Sequence, residues 1–513
     1  MAATTRTSER DHPSPQSDVR QKQTGARVHP TAGGQRAHLR AGAAKVDITK
    51  TDAGPVNDLL FVKALVVRND ATTAVIITVD AVAIGEIGWI SNEYLGNVRS
   101  QLQALLDIDP ASVLINASHC HGKVCADVEA RTIQAVTEAW QSMVPVVIGT
   151  ACGYEDRIME NRRLRLKNGK EADVRHAYSL PADEDVVGVG PVDPQIGILR
   201  LDKQDGRTLA VVYNFACHPI QGVPNGGNTA DITGFASQLI EDTLGDGAVA
   251  FFLQGCAGDV NPILYKDVEY PRNAEPLGYM LGLSTMQTLK RIQTSPNTEL
   301  KVRSERLALP RADLASRIET LQAEQTQLLH SLHGTSLNLK TFLALMVKYS
   351  LSEKFPSYYS HRYFHERQIG REDLKRHDAE TRLAIDHYTR NVYTMEQMTR
   401  VQANLDLLRK HYAQNIAAGS STIDVEVQGM RIGDFVLVTF PGELSVQIGL
   451  NIKQRSPHEF TFVAGCTNGY IYYAPTAEQL RNVGGAQEDS DCMLAPEWQT
   501  LYEHRVAALL EGL

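Results

Sequence analysis

From Arg40 onward, short apolar runs alternate with segments in which apolar residues return every three or four positions. Residues 59–67 and 73–80 are β-branched runs, and the polar Arg68-Asn-Asp-Ala between them predicts a hairpin of two strands. A helix is predicted from about residue 90 to 106. It is followed by Val113-Leu-Ile115, an unbroken apolar run of the kind a strand shows when both its faces are covered. The pattern continues with a helix over 126–141 and a strand over 144–149. A second hairpin over 196–202 and 208–215 turns at Gln204-Asp-Gly206, and a helix over 235–244 and a strand over 248–254 follow. After Gly419 the strand pattern returns at 423–427, 430–432, 435–440 and 460–464.

Between these stretches the period changes. Leu314, Ile318, Leu321, Leu328, Leu329 and Leu332, and later Leu383, Val392, Met395, Met398, Val401, Leu405 and Leu408, recur mostly at three- and four-residue steps among charges. Two long helices around a Tyr- and His-rich middle, 349–365, predict a helical hairpin inserted into an α/β body. The chain thus divides into a disordered tail (1–39), a first catalytic part (40–310), the hairpin (311–418) and a second catalytic part (419–513). The apolar stripes fit helix–helix packing or a homo-oligomer face better than a ligand pocket, so the hairpin is expected to be dispensable for metal binding.

Polar residues collect where predicted strands end. Asn116-Ala-Ser-His-Cys-His121 leaves the apolar run, and in an extended segment His119 and His121 would share one face. Asn214-Phe-Ala-Cys-His218 leaves a second strand, and Pro441-Gly-Glu443 a third. Imidazole and carboxylate on rigid mounts are zinc-type donors, and ligand sites of open α/β sheets gather along such an edge. Asp80 also closes a strand, either beside this pocket or as a turn residue. Asp231 and Thr233 open a helix, where a cap accounts for the aspartate without any further role. Gly255-Cys-Ala-Gly-Asp-Val-Asn261 is a glycine-rich turn with polar side chains at its tip, either a substrate loop or merely a tight turn, and Asn161-Arg-Arg-Leu-Arg165 offers cations for an anion or a polarised carbonyl, or more commonly the arginines of an exposed hairpin.

Composition removes several classes. A net charge of -9 without a basic block in the folded part argues against nucleic acid as partner. No stretch is long and apolar enough for a membrane span, and residues 1–40 lack the apolar stretch of a secretory signal, so a cytoplasmic location is expected. Seven cysteines scattered through apolar or motif-adjacent positions read as reduced thiols rather than a disulfide framework.

Six segments in order, Asn-Ala-Ser-His-Cys-His at 116–121, Asn-Phe-Ala-Cys-His at 214–218, Ala-Asp-Ile-Thr-Gly-Phe-Ala at 230–236, Gly-Asp-Val-Asn-Pro at 258–262, Pro-Gly-Glu at 441–443 and Thr-Asn-Gly-Tyr-Ile-Tyr-Tyr at 467–473, resemble the neutral/alkaline ceramidase family. The resemblance implies a mixed-sheet α/β catalytic domain and a catalytic Zn2+ held by His119, His218, Glu443 and Tyr473, with Tyr470 as the second choice of tyrosine. It assigns His121 and Arg162 to the reacting carbonyl or its oxyanion, and draws Asp231 and Asn261 into the catalytic set. The family serine of Gly-Asp-x-Ser-Pro is replaced here by Asn261, which has no hydroxyl to activate. The expected reaction is therefore cleavage of an amide or related acyl bond by metal-activated water, on a small-molecule or lipid- or glycan-like substrate. The alternatives are a glycan- or lactone-directed hydrolase on the same scaffold and a non-catalytic metal-binding protein.

Overall fold

The β-branched runs pair as their pattern predicts, and they belong to a sheet much larger than one hairpin. In the computed structural model, which describes residues 39–174, 180–222, 227–265, 267, 269, 272–482 and 485–513, eight strands form one sheet. They are Arg40–Asp47 (β1), Phe61–Arg68 (β2), Thr73–Val79 (β3), Val113–Ala117 (β4), Val144–Tyr154 (β5), Gln195–Lys203 (β6), Thr208–Phe215 (β7) and Val249–Gln254 (β8). Their order is β8-β7-β6-β5-β1-β2-β3-β4, with β3/β4 and β7/β8 parallel and the other pairs antiparallel. The predicted tail lies outside the described residues except for Leu39.

A second sheet is built from Leu300–Pro310 (β9), Thr422–Ile432 (β10), Phe435–Thr439 (β11) and Thr461–Ala464 (β12), in that order. Alternation decides which side chains meet. Along β2, Val62, Ala64 and Val66 face helices Tyr94–Leu106 (α1) and Val128–Gln141 (α2), while Leu65 and Val67 face the second sheet. Helices Asp231–Leu244 (α3) and Glu275–Leu289 (α4) cover β6 to β8 on the outer side. The far side of the small sheet packs on Val446–Arg455 (α9) and Trp498–Glu511 (α10). The order is helices, large sheet, small sheet, helices. At the sheet–sheet contact Gly197 is required by proximity, since a Cβ there would stand 2.2 Å from the Phe462 ring.

The two edges of the large sheet are stitched together. Asn116 on β4 accepts from the Gln254 N–H of β8 at 3.0 Å and donates to Gly465 O at 2.8 Å, and the Gly465 N–H returns to Gln254 O at 2.9 Å. Every one of these polar groups is buried, so the network satisfies itself and brings the exits of β4, β8 and β12 to one place.

The predicted helical hairpin is an excursion between two directly paired strands. β9 and β10 run in register from Leu300↔Ile432 to Pro310↔Thr422, so residues 311–421 leave and re-enter at one point. Instead of two long helices there are four: Ala315–His330 (α5), Leu339–Leu351 (α6), Ser360–Gln368 (α7) and the 46-residue Asp373–Ala418 (α8). Local chemistry breaks the first half: Asn338 caps α6 through Thr341 N–H, Pro356 follows its end, and Gly370 at φ 72° follows α7. The stripes do pack helix on helix, Leu314 and Leu321 against Val401, Leu405 and Leu408. The predicted strands 423–427 and 430–432 are one strand, β10, while β9, α4 and α10 escape the sequence pattern. All seven cysteines are free.

Asp58 gives the fold a pH dependence. Its carboxylate accepts from the Thr229 hydroxyl and, at 2.8 Å, from the Ala230 N–H just before α3. Burial pushes its pKa up from 3.8 to about 7 despite these bonds. Across that window the native state keeps a proton that the unfolded chain has released, so this group's contribution to stability falls as pH rises from 4 to 7. Asp58→Asn is expected to flatten that part of the stability profile, as read by urea-unfolding midpoints at pH 5 and 7.5.

Candidate metal centre

β4 ends at Ala117, and His119 follows with φ 66°. The extended geometry expected for His-x-His therefore does not hold. A left-handed residue turns the chain, held by Ser118 N–H to Val79 O at 2.9 Å and His119 N–H to Ala81 O at 3.0 Å. Cys466, Asn468 and Tyr472 on the facing loop are left-handed as well, so uncommon backbone conformations cluster here.

His119 and His218 are oriented in the same way. His119 Nδ1 lies 2.7 Å from Val82 O and His218 Nδ1 lies 3.1 Å from Val260 O. A carbonyl only accepts, so each Nδ1 carries the proton and each Nε2 offers its lone pair. Both Nε2 atoms face one carboxylate oxygen: Glu443 Oε2 is 3.3 Å from His119 and 2.8 Å from His218. Glu443 is fixed by the two-residue strand Glu443–Leu444, which pairs in parallel with Tyr473–Ala474.

Three acceptors converging in a buried site require a cation among them. Burial would lower the His119 imidazole, but Glu443 and Cys466 lift it well above its usual value. Burial would raise the Glu443 carboxyl, yet the two imidazoles hold it well below the usual carboxylate range. His218 is pushed down to about 4 by burial and by the Arg162 charge. The residues also fit a metal: the three ligand atoms lie within 4.8 Å of one another, and two donors of one tetrahedral zinc stand about 3.3 Å apart. Two nitrogens and one oxygen, with both outer nitrogens tied to carbonyls, form a zinc-type donor set.

The remaining expected residues surround this cluster. His121 stays solvent-accessible with its ring edge-on to His119, centroids 5.8 Å apart. Desolvation, then the charges of His119 and His218, push it down to about 4, so it is neutral at pH 7. The Tyr470 hydroxyl donates to Glu443 Oε1, while the Tyr473 ring lies beside that of His218, centroids 6.5 Å apart and tilted by 23°. The Arg162 guanidinium stands 5.6 Å from the Tyr473 ring centre. Its Nε donates to Glu488 at 2.5 Å, one Nη to Asn261 Oδ1 at 3.0 Å and the other to Gly258 O.

Asp231 and Asp80 serve the backbone. Asp231, buried and at φ 57°, accepts three backbone N–H groups, from Gln221 (3.1 Å), Gly222 (2.6 Å) and Ile232 (2.8 Å), and burial raises it to about 6. It ties the turn after His218 to α3. Asp80 accepts the Phe61 N–H at 2.9 Å, as a strand-end residue does.

Sequence reasoning missed the second layer. Glu488 pairs with Arg162, and its neighbour Asp489 pairs with Arg163, an ion-pair cluster sealed from solvent. The matching signals, two adjacent arginines and two adjacent acids, stand 326 residues apart. Cys466 Sγ stands 3.5 Å from His119 Nδ1. The helical excursion reaches this layer: Arg400 of α8 binds the Asp173 carboxylate and Gly485 O, and His411 donates to Asp491 at 2.6 Å.

No family profile matches the chain, and no curated protein matches it by sequence. Solved structures do match it. A ceramidase complexed with C2 superposes with a TM-score of 0.60 at 16% identity, covering 93% of this chain and 76% of that one. The neutral ceramidase from Pseudomonas aeruginosa gives 0.59 at 15% identity, covering 93% and 75%. The chain has a ceramidase-like mixed α/β fold, and within that fold a buried His-His-Glu cluster able to hold a metal ion.

Proposed function

We propose that this chain is a zinc-dependent hydrolase that cleaves an amide or related acyl bond. The observation carrying the reading is the convergence of two Nδ1-anchored imidazoles on Glu443 Oε2. The ceramidase-like fold supports amide chemistry. His119, His218 and Glu443 hold the metal, Tyr473 completes the set, and Tyr470 orients the carboxylate by donating to its other oxygen. When bound, zinc supplies Lewis-acid polarisation of an acyl carbonyl and makes water acidic enough to attack near neutral pH.

The chain supplies the rest. His121, neutral and accessible, accepts a proton from the attacking water and returns it to the leaving nitrogen. Arg162, fixed by Glu488 and Gly258, directs its charge to the oxyanion, where a preorganised cation stabilises negative charge without reorganising. Asn261 is a hydrogen-bonding neighbour whose Oδ1 orients Arg162.

The test is turnover of a panel of N-acyl amides, short-chain ceramide included, by purified protein carrying one equivalent of zinc. Loss of all turnover in His119→Ala supports the reading; an unchanged rate in that variant overturns it. Asn261→Ala is expected to lower kcat about a hundredfold while leaving metal content intact, since it removes one orienting contact and no ligand. A covalent acyl adduct on any side chain, sought by intact-mass trapping, would contradict attack by water.

A further inference from the structure

The distal end of the helical excursion carries a surface that the metal centre does not explain. α8 is anchored to the body at Arg400 and His411, whereas α6 and α7 pack on its first half, near Asp378, roughly 33 Å farther along the helix axis. There Asp378 accepts the hydroxyls of Tyr349, Ser357 and Tyr363, a buried carboxylate that fixes α6, the following loop and α7 together. With Phe342 and Tyr349 turned inward, α6 presents Leu339, Leu343, Met346, Val347 and Leu351 to solvent at helical spacing. Beside this face, Tyr358, held at φ 57°, and Tyr359 project outward, and Leu351, Tyr358 and Tyr359 are 81%, 70% and 73% exposed. Val347, Leu351, Phe355 and the two tyrosines line one shallow groove.

Charge identifies the occupant. From 339 to 371 six Lys and Arg stand against two Glu, in a chain of net charge -9. An apolar helix face edged by lysines, with tyrosines beside it, is the composition of an element lying in the headgroup boundary of a bilayer. A second copy is disfavoured, because a two-fold contact through this face would bring two net-positive surfaces together.

We propose that this end of the excursion docks on an anionic lipid surface. Leu343, Val347, Leu351 and Tyr359 enter the headgroup boundary, and Lys340 and Lys348 meet the lipid charge. The docking is independent of the metal centre. Among the described residues no helix is long and apolar enough to cross a membrane, so the contact is peripheral.

Flotation of the full chain with phosphatidylcholine vesicles, with and without phosphatidylserine, tests it. Binding is expected to the phosphatidylserine vesicles, to weaken with salt, and to persist unchanged in His119→Ala. Leu351→Glu/Tyr359→Glu should lower it at least tenfold. Lys340→Glu/Lys348→Glu should lower it about 25-fold or more, each lysine near a charged surface being worth about fivefold. Both pairs are solvent-exposed, and unchanged melting curves confirm folding. Absence of flotation, or equal flotation of wild type and both variants, overturns the proposal. Self-association abolished by Leu351→Glu/Tyr359→Glu, without vesicle binding, overturns it in favour of a second copy.

Discussion

Glu443→Gln is expected to reduce bound zinc from about one equivalent to less than about a tenth, and to abolish turnover rather than slow it. Both imidazoles direct Nε2 at Glu443 Oε2, so the carboxylate is the group on which the two ligand nitrogens meet. An amide keeps the shape and loses the charge that would hold a dication beside two neutral nitrogens. His218→Ala should behave alike on metal content. Elemental analysis of protein dialysed against weak chelator, with a melting curve to show folding, reads the result. Full zinc occupancy in Glu443→Gln would move the metal elsewhere and end the assignment.

The second large effect is expected at Glu488, the partner of the Arg162 Nε. Arg162 and Glu488 are both sealed from solvent, and deleting one partner of a buried ion pair strands the other charge, at a cost of about 3–5 kcal/mol. Glu488→Ala should lower unfolding stability by about that amount in urea titrations. It should also lower kcat by about a hundredfold or more, because Arg162 loses the contact on its Nε. A charge-free pair, Arg162→Met with Glu488→Leu, should regain most of the stability and none of the turnover. Recovery of both would reduce Arg162 to a structural residue.

The two effects differ in how visible they were beforehand. His119, His218 and Glu443 each sit just past an apolar run, and strand exits are where α/β sheets place ligands, so the three donors were legible from local pattern. Arg162 was singled out as a cation, but Glu488 was not, because nothing local distinguishes an acid that pairs across 326 residues from one on the surface.

The sequence by itself determined the strand and helix periods, the excursion between residues 311 and 418, and the ligand-type residues, since each rests on near neighbours or on the chemistry of single side chains. Tertiary structure decided the rest. It turned His119 out of the strand through a left-handed backbone. It gave Asp231 to three backbone N–H groups, and it faced one side of α6 to solvent. The turn at His119 depends on the carbonyls of Val79 and Ala81, which only the pairing of β3 with β4 brings beside it, and buried polar groups must be satisfied by whatever the fold places beside them.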